Sequence, residues 1–334
     1  MTFIHTIAGE YITQSVLHAF IALILVEISF HAWDIDDHLS MFRYRILTLG
    51  LPIIMFPLFQ VISPDRGSWY FRLTTALFDS QRWLDLKVMG IFPLAIAFMG
   101  MLAAFSLLFV MQEILPIFRG RRASQEFGDC QETHEYDARM QALLESICIP
   151  LQIEKPLFLV IDETVPILFT QGFRRHTVII SDHLLVTLDD EQLRAALTHE
   201  VVHMMRSSSL KTPLIYLLRM LMFYNPVSLV EFRRIVHDDE FICDAITISI
   251  TGKPEALITA LSAFYYHHDS THADEQEGGL SQMKERVESH SHNLILDERA
   301  EKLQNALRTG TGGFRLIPFI ITASVIVVTG YLVV

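Results

Sequence analysis

The chain has 334 residues, of which 51% are hydrophobic and only 19% charged, a more apolar balance than water-soluble domains carry. Its formal net charge of −12 excludes a surface built to bind nucleic acid, which needs clustered positive charge. The three cysteines, Cys130, Cys148 and Cys243, make neither a CxxC pair nor an even-numbered disulfide framework, and read as inert buried thiols in a reducing compartment.

A bilayer's hydrocarbon core is crossed by roughly 20 apolar helical residues. Four stretches qualify, at residues 11–30, 46–63, 88–112 and 316–334, and the last three contain no charged residue. The first holds His18 and Glu27 and also fits an interfacial or buried helix. Residues 1–10 lack Lys and Arg, so a retained span is expected there rather than a cleaved signal peptide.

Basic residues in short flanking loops favour the cytoplasmic side. Arg43 and Arg45 precede the second span, and Arg119, Arg121 and Arg122 follow the third. The consistent solution puts the N-terminus and the 64–87 loop outside and residues 118–315 inside, although Arg66, Arg72, Arg82 and Lys87 in the outer loop count against it. Trp69, Tyr70, Phe71 and Trp83 in that loop fit either anchors at the membrane interface or a dock for a partner.

The expected organisation is therefore a membrane domain at 1–117 with three spans, a cytoplasmic domain at 118–315, and a last span at 316–334. The cytoplasmic domain opens with a polar linker at 119–135 and an amphipathic helix at 136–148 that Pro150 ends. Residues 157–161 and 177–181 read as short strands, with Gln171, Gly172 and Phe173 as a turn between them. The second of these strands is expected to pair with an extended substrate peptide.

Residues 191–206 follow helical spacing, with acidic residues at the start where the helix dipole favours them. Residues 210–224 are mostly apolar and fit equally a helix dipping into the bilayer face and a core helix. A further helix is expected at 227–250. The His-rich, acidic stretch 266–292 reads as a solvated loop, with metal or pH sensing by its histidines as the weaker alternative.

The helix at 191–206 carries His199, Glu200 and His203 as an HExxH motif. Side chains four apart share a helix face, so both imidazoles can bind one zinc ion while Glu200 reaches the water that ion holds. Zinc with three protein ligands keeps one position open for catalysis. For the third ligand the sequence offers Glu240, with His237 as competitor three residues earlier on the same face. Asp244, four residues after Glu240, can accept a hydrogen bond from a ligand imidazole.

The run from Thr198 to His203, the Asn225–Pro226 stop, the run from Glu240 to Asp244 and the three preceding spans together resemble the beta-lactam sensor-transducer family (BlaR/MecR type) of integral membrane zinc metallopeptidases. The likeness extends from the first span to about Arg286. It implies zinc ligands at His199, His203 and Glu240, a catalytic Glu200, and a multi-pass α-helical membrane protein with a cytoplasmic α+β, gluzincin-like peptidase domain. It also makes Arg286 a candidate for steadying the site or an oxyanion. Members of that family follow their last span with an extracellular penicillin-binding sensor domain, and no counterpart is expected after residue 334. Ser281 and Lys284 spell an SxxK pattern, but without the companion motifs it reads as coincidence.

The resulting expectation is a zinc metalloendopeptidase of the cytoplasmic membrane. It would cut a cytoplasmic or membrane-proximal protein such as a transcriptional regulator, in contact with lipid and with a separate sensor partner. Two alternatives stand beside it, a quality-control or processing protease of the membrane and a non-peptidase receptor or scaffold that keeps zinc for structure.

Overall fold

The computed structural model describes residues 6–88, 92–115, 137–162, 166–171, 176–207, 211–270 and 314–334. Contacts divide the chain into two compact units. The first holds residues 1–125, 211–239 and 312–334, and the second holds 126–210 and 240–311.

The first unit is helical. Helix α1 spans Ile7–Ala32, with Thr6 as N-cap accepting from the Gly9 amide at 3.2 Å. Helix α2 spans His38–Ile62, capped by Asp37, which accepts from the Ser40 amide at 2.8 Å. Both are long and apolar enough to cross a membrane, as is the helix at Leu94–Gln112. Its regular part, Leu94–Phe109, is α5 and runs into a π-helical turn at Val110–Ile114.

The third apolar helix thus begins six residues later than the sequence indicates. Residues 87–88 (β1) and 92–93 (β2) instead pair as a short antiparallel hairpin, because apolar content alone does not tell helix from strand. The last helix, Leu316–Tyr331, is also shorter than expected. Its 16 residues reach about 24 Å. The three residues after it turn to bond with the segment between α2 and α5: Leu77 donates its amide to Leu332, and Val334 donates to Phe78.

That segment holds a 3₁₀ turn at Pro64–Gly67, α3 at Trp69–Thr74 and α4 at Ser80–Leu84. Small buried residues, Ala19 and Ala22 among them, let the long helices pack closely, while Ile24, Ile28 and Ile54 on the outer faces are more than half exposed. Ser29 meets Thr322 at 2.8 Å, and a Cβ on Gly330 would fall 1.8 Å from the Met55 methyl, so that glycine admits the neighbouring helix.

The two ends of α1 carry different charge clusters. At its start Arg66, only 1% exposed, donates to Tyr331 O, Gly330 O, Val333 O and Gln14 Oε1. Arg72 meets Glu10 at 3.3 Å and Asp79 at 3.2 Å. At the other end Arg45 bonds Asp238 at 3.0 Å and Glu231 at 3.3 Å, His38 meets Asp238 at 2.8 Å, and Arg234 bridges Glu27 and Glu231. Two of the outer-loop arginines that opposed the orientation argument are therefore engaged in packing and are not free headgroup-facing charges.

Two further helices are α9 at Lys211–Leu221 and α10 at Pro226–Thr251, numbered after the three helices of the second unit that precede them in the chain. Helix α9 buries Ile215 and Arg219 and leaves Leu214, Leu217 and Met220 about half exposed or more, so it has an apolar outer face that a core helix would not show. Tyr224 Oη lies 2.8 Å from Ser15 Oγ, joining this region to α1. Residues of α10 to Asp239 count with the first unit and those from Glu240 with the second.

The second unit mixes helices with a small sheet. Helix α6 spans Asp137–Leu151 and passes one residue beyond Pro150. Strands β3 (Leu157–Ile161), β4 (Leu168–Gln171) and β5 (Thr177–Ser181) form a sheet in the order β3-β5-β4, with β3 parallel and β4 antiparallel to β5. The strand at Thr177–Ser181 is thus central and bonded on both sides. It has no edge to offer a peptide, contrary to the sequence expectation. Two short strand signals could not reveal that a third strand, β4, takes the outer place.

Helices α7 (Asp182–Thr187) and α8 (Asp190–Ser207) follow. The core joins Met140, Leu144 and Ile147 of α6 to Val178 and Ile180 of β5 and Leu193, Leu197 and Val201 of α8. Helix α10 ends at Gly252, whose φ of 67° is the left-handed conformation a helix terminus needs. Helix α11, Pro254–Ser270, continues through Tyr266, His267 and His268, which the sequence places in a loop. The rest of that stretch, with Arg286 and the SxxK residues, lies outside the described residues, as do Cys130, Gly172, Phe173 and the linker. The final helix, Leu316–Tyr331, is α12.

Candidate active site

Helix α8 is started by Asp189, whose Oδ1 accepts from the amides of Glu191 and Gln192 at 2.9 and 2.8 Å while Gln192 reaches back to the Asp189 amide. This reciprocal cap fixes where the helix begins and hence which face its later turns present. Leu197, Val201 and Val202 are fully buried. His199 and His203, one turn apart, lie together on another face of the helix.

Their Nε2 atoms are 3.0 Å apart. Glu240 of α10 places Oε2 3.5 Å from His199 Nε2 and Oε1 3.4 Å from His203 Nε2. A tetrahedral zinc with bonds of about 2.0–2.1 Å separates its ligand atoms by about 3.3 Å. The three separations bracket that value, and the donor set of two imidazoles and a carboxylate is one zinc accepts. Among the described residues, the cluster of donors around His199 takes Glu240 and not the competing His237.

Each imidazole is also held from behind. His199 Nδ1 lies 3.1 Å from Asp244 Oδ1, a charge contact off the ideal hydrogen-bond direction, and Asp244 is fully buried. His203 Nδ1 lies 3.5 Å from Cys243 Sγ. A partner on Nδ1 leaves Nε2 as the metal-facing nitrogen. The buried thiol expected to be inert is therefore in contact with the site. Its neighbourhood was hidden in sequence, where Cys243 and His203 stand 40 residues apart.

The protein's own charges act strongly here. Burial disfavours the charged form of His199, but Asp244 and Glu240 outweigh it and hold the imidazole up at about 9. Burial likewise pushes Glu240 upward, yet hydrogen bonds from His199 and His203 prevail and keep it well below the usual carboxylate range. Glu200 is raised, chiefly by burial, against the opposing pull of both histidines and Thr170. Three carboxylates thus surround two imidazoles, a setting that favours a bound cation.

Glu200 Oε2 accepts a hydrogen bond of 2.9 Å from Thr170 Oγ1 of β4. Sequence reasoning missed Thr170, since a four-residue strand 30 positions upstream gives no local signal. Arg286 lies outside the described residues.

The family described as BlaR1 peptidase M56 matches residues 81–289, more than half of the chain, including every residue of this cluster. The chain belongs to that family and is a membrane metallopeptidase. No curated protein matches it. Among solved structures, the crystal structure of S. mikatae Ste24p is similar at 16% identity and a TM-score of 0.30, over 90% of this chain and 77% of that one.

Proposed function

We propose that the protein is a zinc metalloendopeptidase that cuts a cytoplasmic or membrane-proximal protein in regulatory signalling, with His199, His203 and Glu240 as ligands and Glu200 as general base. The observation that carries this reading is the convergence of three donor atoms at tetrahedral-zinc spacing beside a half-buried carboxylate, Glu200, that is not among them.

Zinc held there supplies a Lewis acid that polarises a peptide carbonyl and acidifies water. The chain's residues do the rest. Glu200 receives a proton from the attacking water at its free oxygen and passes it on to the departing amine. Asp244 and Cys243 hold the imidazoles so that their Nε2 atoms converge. Strand β4, at the sheet edge, offers a row for an extended peptide substrate, in place of the central β5.

The peptidase region is proposed to be cytoplasmic and the chain multi-pass, with the N-terminus and the 64–87 segment outside. The engagement of Arg66 and Arg72 within the protein supports this by removing two of the charges that opposed it. The 77–80 segment also pairs with residues 332–334, as a shared side of the membrane requires. The test is to compare proteomes of cells carrying wild type and Glu200→Gln. The expected result is at least one cytoplasm-facing protein fragment present only with wild type; identical fragment sets would remove the proposal.

A further inference from the structure

We propose that Thr170 is a positioning residue for Glu200: its hydroxyl, carried on the edge strand β4, fixes one carboxylate oxygen and leaves the other to act as the base. This rests on the reading of Glu200 given above and deepens it.

The hydrogen bond of 2.9 Å runs from a neutral hydroxyl to an ionisable acceptor, the stronger class of protein hydrogen bond when that acceptor is charged. Among the described residues no other side chain bonds to the Glu200 carboxylate. A glutamate has three rotatable side-chain bonds, and a base that swings must be reordered at every turnover. Thr170 resists that swing from a fixed platform. Its β-branched side chain has restricted rotamers, and its backbone stands in register opposite Val178 of the central strand, which is itself fully buried.

The strand gives the bond a second meaning. Strand β4 pairs with β5 on one side only, and among the described residues no strand covers its other side. A peptide adding to that edge lies along the same four residues that hold the base. Substrate docking therefore stiffens the strand that orients Glu200, which ties base alignment to the presence of an extended peptide.

The experiment uses full-length protein in detergent and one cleavable peptide. Thr170→Val keeps the shape and strand preference and removes only the donor; Thr170→Ser restores the donor. The expected result is a roughly tenfold loss of kcat in Thr170→Val with KM changed less than twofold, largely recovered in Thr170→Ser. In a Glu200→Gln background the Val substitution should change neither the residual rate nor the affinity for the uncleaved peptide. Zinc content should stay at the wild-type level throughout. Should Thr170→Val fold poorly, Thr170→Cys against Thr170→Ser makes the same comparison, with the weak thiol donor expected to be the slower. A wild-type kcat in Thr170→Val, or an equal loss in the Glu200→Gln background, overturns the inference. Absence of Glu200-dependent cleavage by the wild type would instead overturn the proposed function itself.

Discussion

In the helical unit Arg45 faces Glu231 and Asp238, and Arg66 faces three backbone carbonyls and a glutamine oxygen, so these two cations each meet a polar complement, while the buried Arg219 lies over the Phe109 ring at 4.8 Å. In the second unit His199, His203 and Glu240 turn two ring nitrogens and a carboxylate, all atoms able to ligate a metal, toward one another at 3.0 to 3.5 Å, with further carboxylates nearby. The helical set is the more deeply buried, with Glu231 and Asp238 side chains at most 6% exposed against 24% for His203 and 33% for Glu240. Depth therefore does not mark a functional site. What separates them is whether the buried charges close among themselves: the first set does, and the second closes when a cation is added.

This difference assigns distinct consequences to substitutions in the two regions. The largest stability effect is expected at Arg66. Arg66→Met strands four acceptors that only a forked guanidinium can reach together, a loss of about 3–5 kcal/mol, read as a lower unfolding midpoint in detergent. Arg66→Lys should recover little of it. Arg45→Met comes next, at roughly 2–3 kcal/mol, because Glu231 and Asp238 keep partial partners in Arg234 and His38. Adding Glu231→Gln should return part of that loss, since it removes the carboxylate left unbalanced. Neither variant should change the metal's affinity by more than the fraction unfolded accounts for.

At the site the pattern should invert. Asp244→Asn should weaken zinc binding about 10–100-fold while the metal-free protein unfolds near the wild-type midpoint. Cys243→Ser should weaken it less than about tenfold, because a hydroxyl can still accept from His203 Nδ1. A stability loss without a metal effect at Asp244 would erase the distinction between the two kinds of burial.

The sequence and the structure agree best where one short segment carries the whole signal. The HExxH helix needs only its own periodicity and cap, and the pairing of Glu240 with Asp244 needs only the four-residue helical repeat, while the choice of Glu240 over His237 needed the three-dimensional cluster. Apolar length likewise marked the three helices that are long and apolar enough to cross a membrane, along with a fourth stretch whose helix is shorter. The rest depended on partners distant in sequence. Arg66 looked like an ordinary loop charge because its three carbonyl acceptors lie 264 to 267 residues away and Gln14 lies 52 away. Thr170 and the edge position of β4 depended on strand order, which two short apolar runs do not encode. Val88, Phe92 and Pro93 lie in a stretch apolar enough to pass for helix, and the antiparallel pairing of β1 with β2 shows only in three dimensions.

The central claim is that three ligands and a separate base sit at His199, His203, Glu240 and Glu200, and metal content measured alongside cleavage tests it most directly. Wild type, Glu200→Gln, Glu240→Ala and His237→Ala would be purified in parallel, their zinc per chain determined, and each assayed on one peptide. The account predicts about one zinc in wild type, Glu200→Gln and His237→Ala, little in Glu240→Ala, and cleavage lost by at least about a hundredfold in Glu200→Gln despite its full metal. Zinc lost from Glu200→Gln, or lost from His237→Ala and retained by Glu240→Ala, would contradict it.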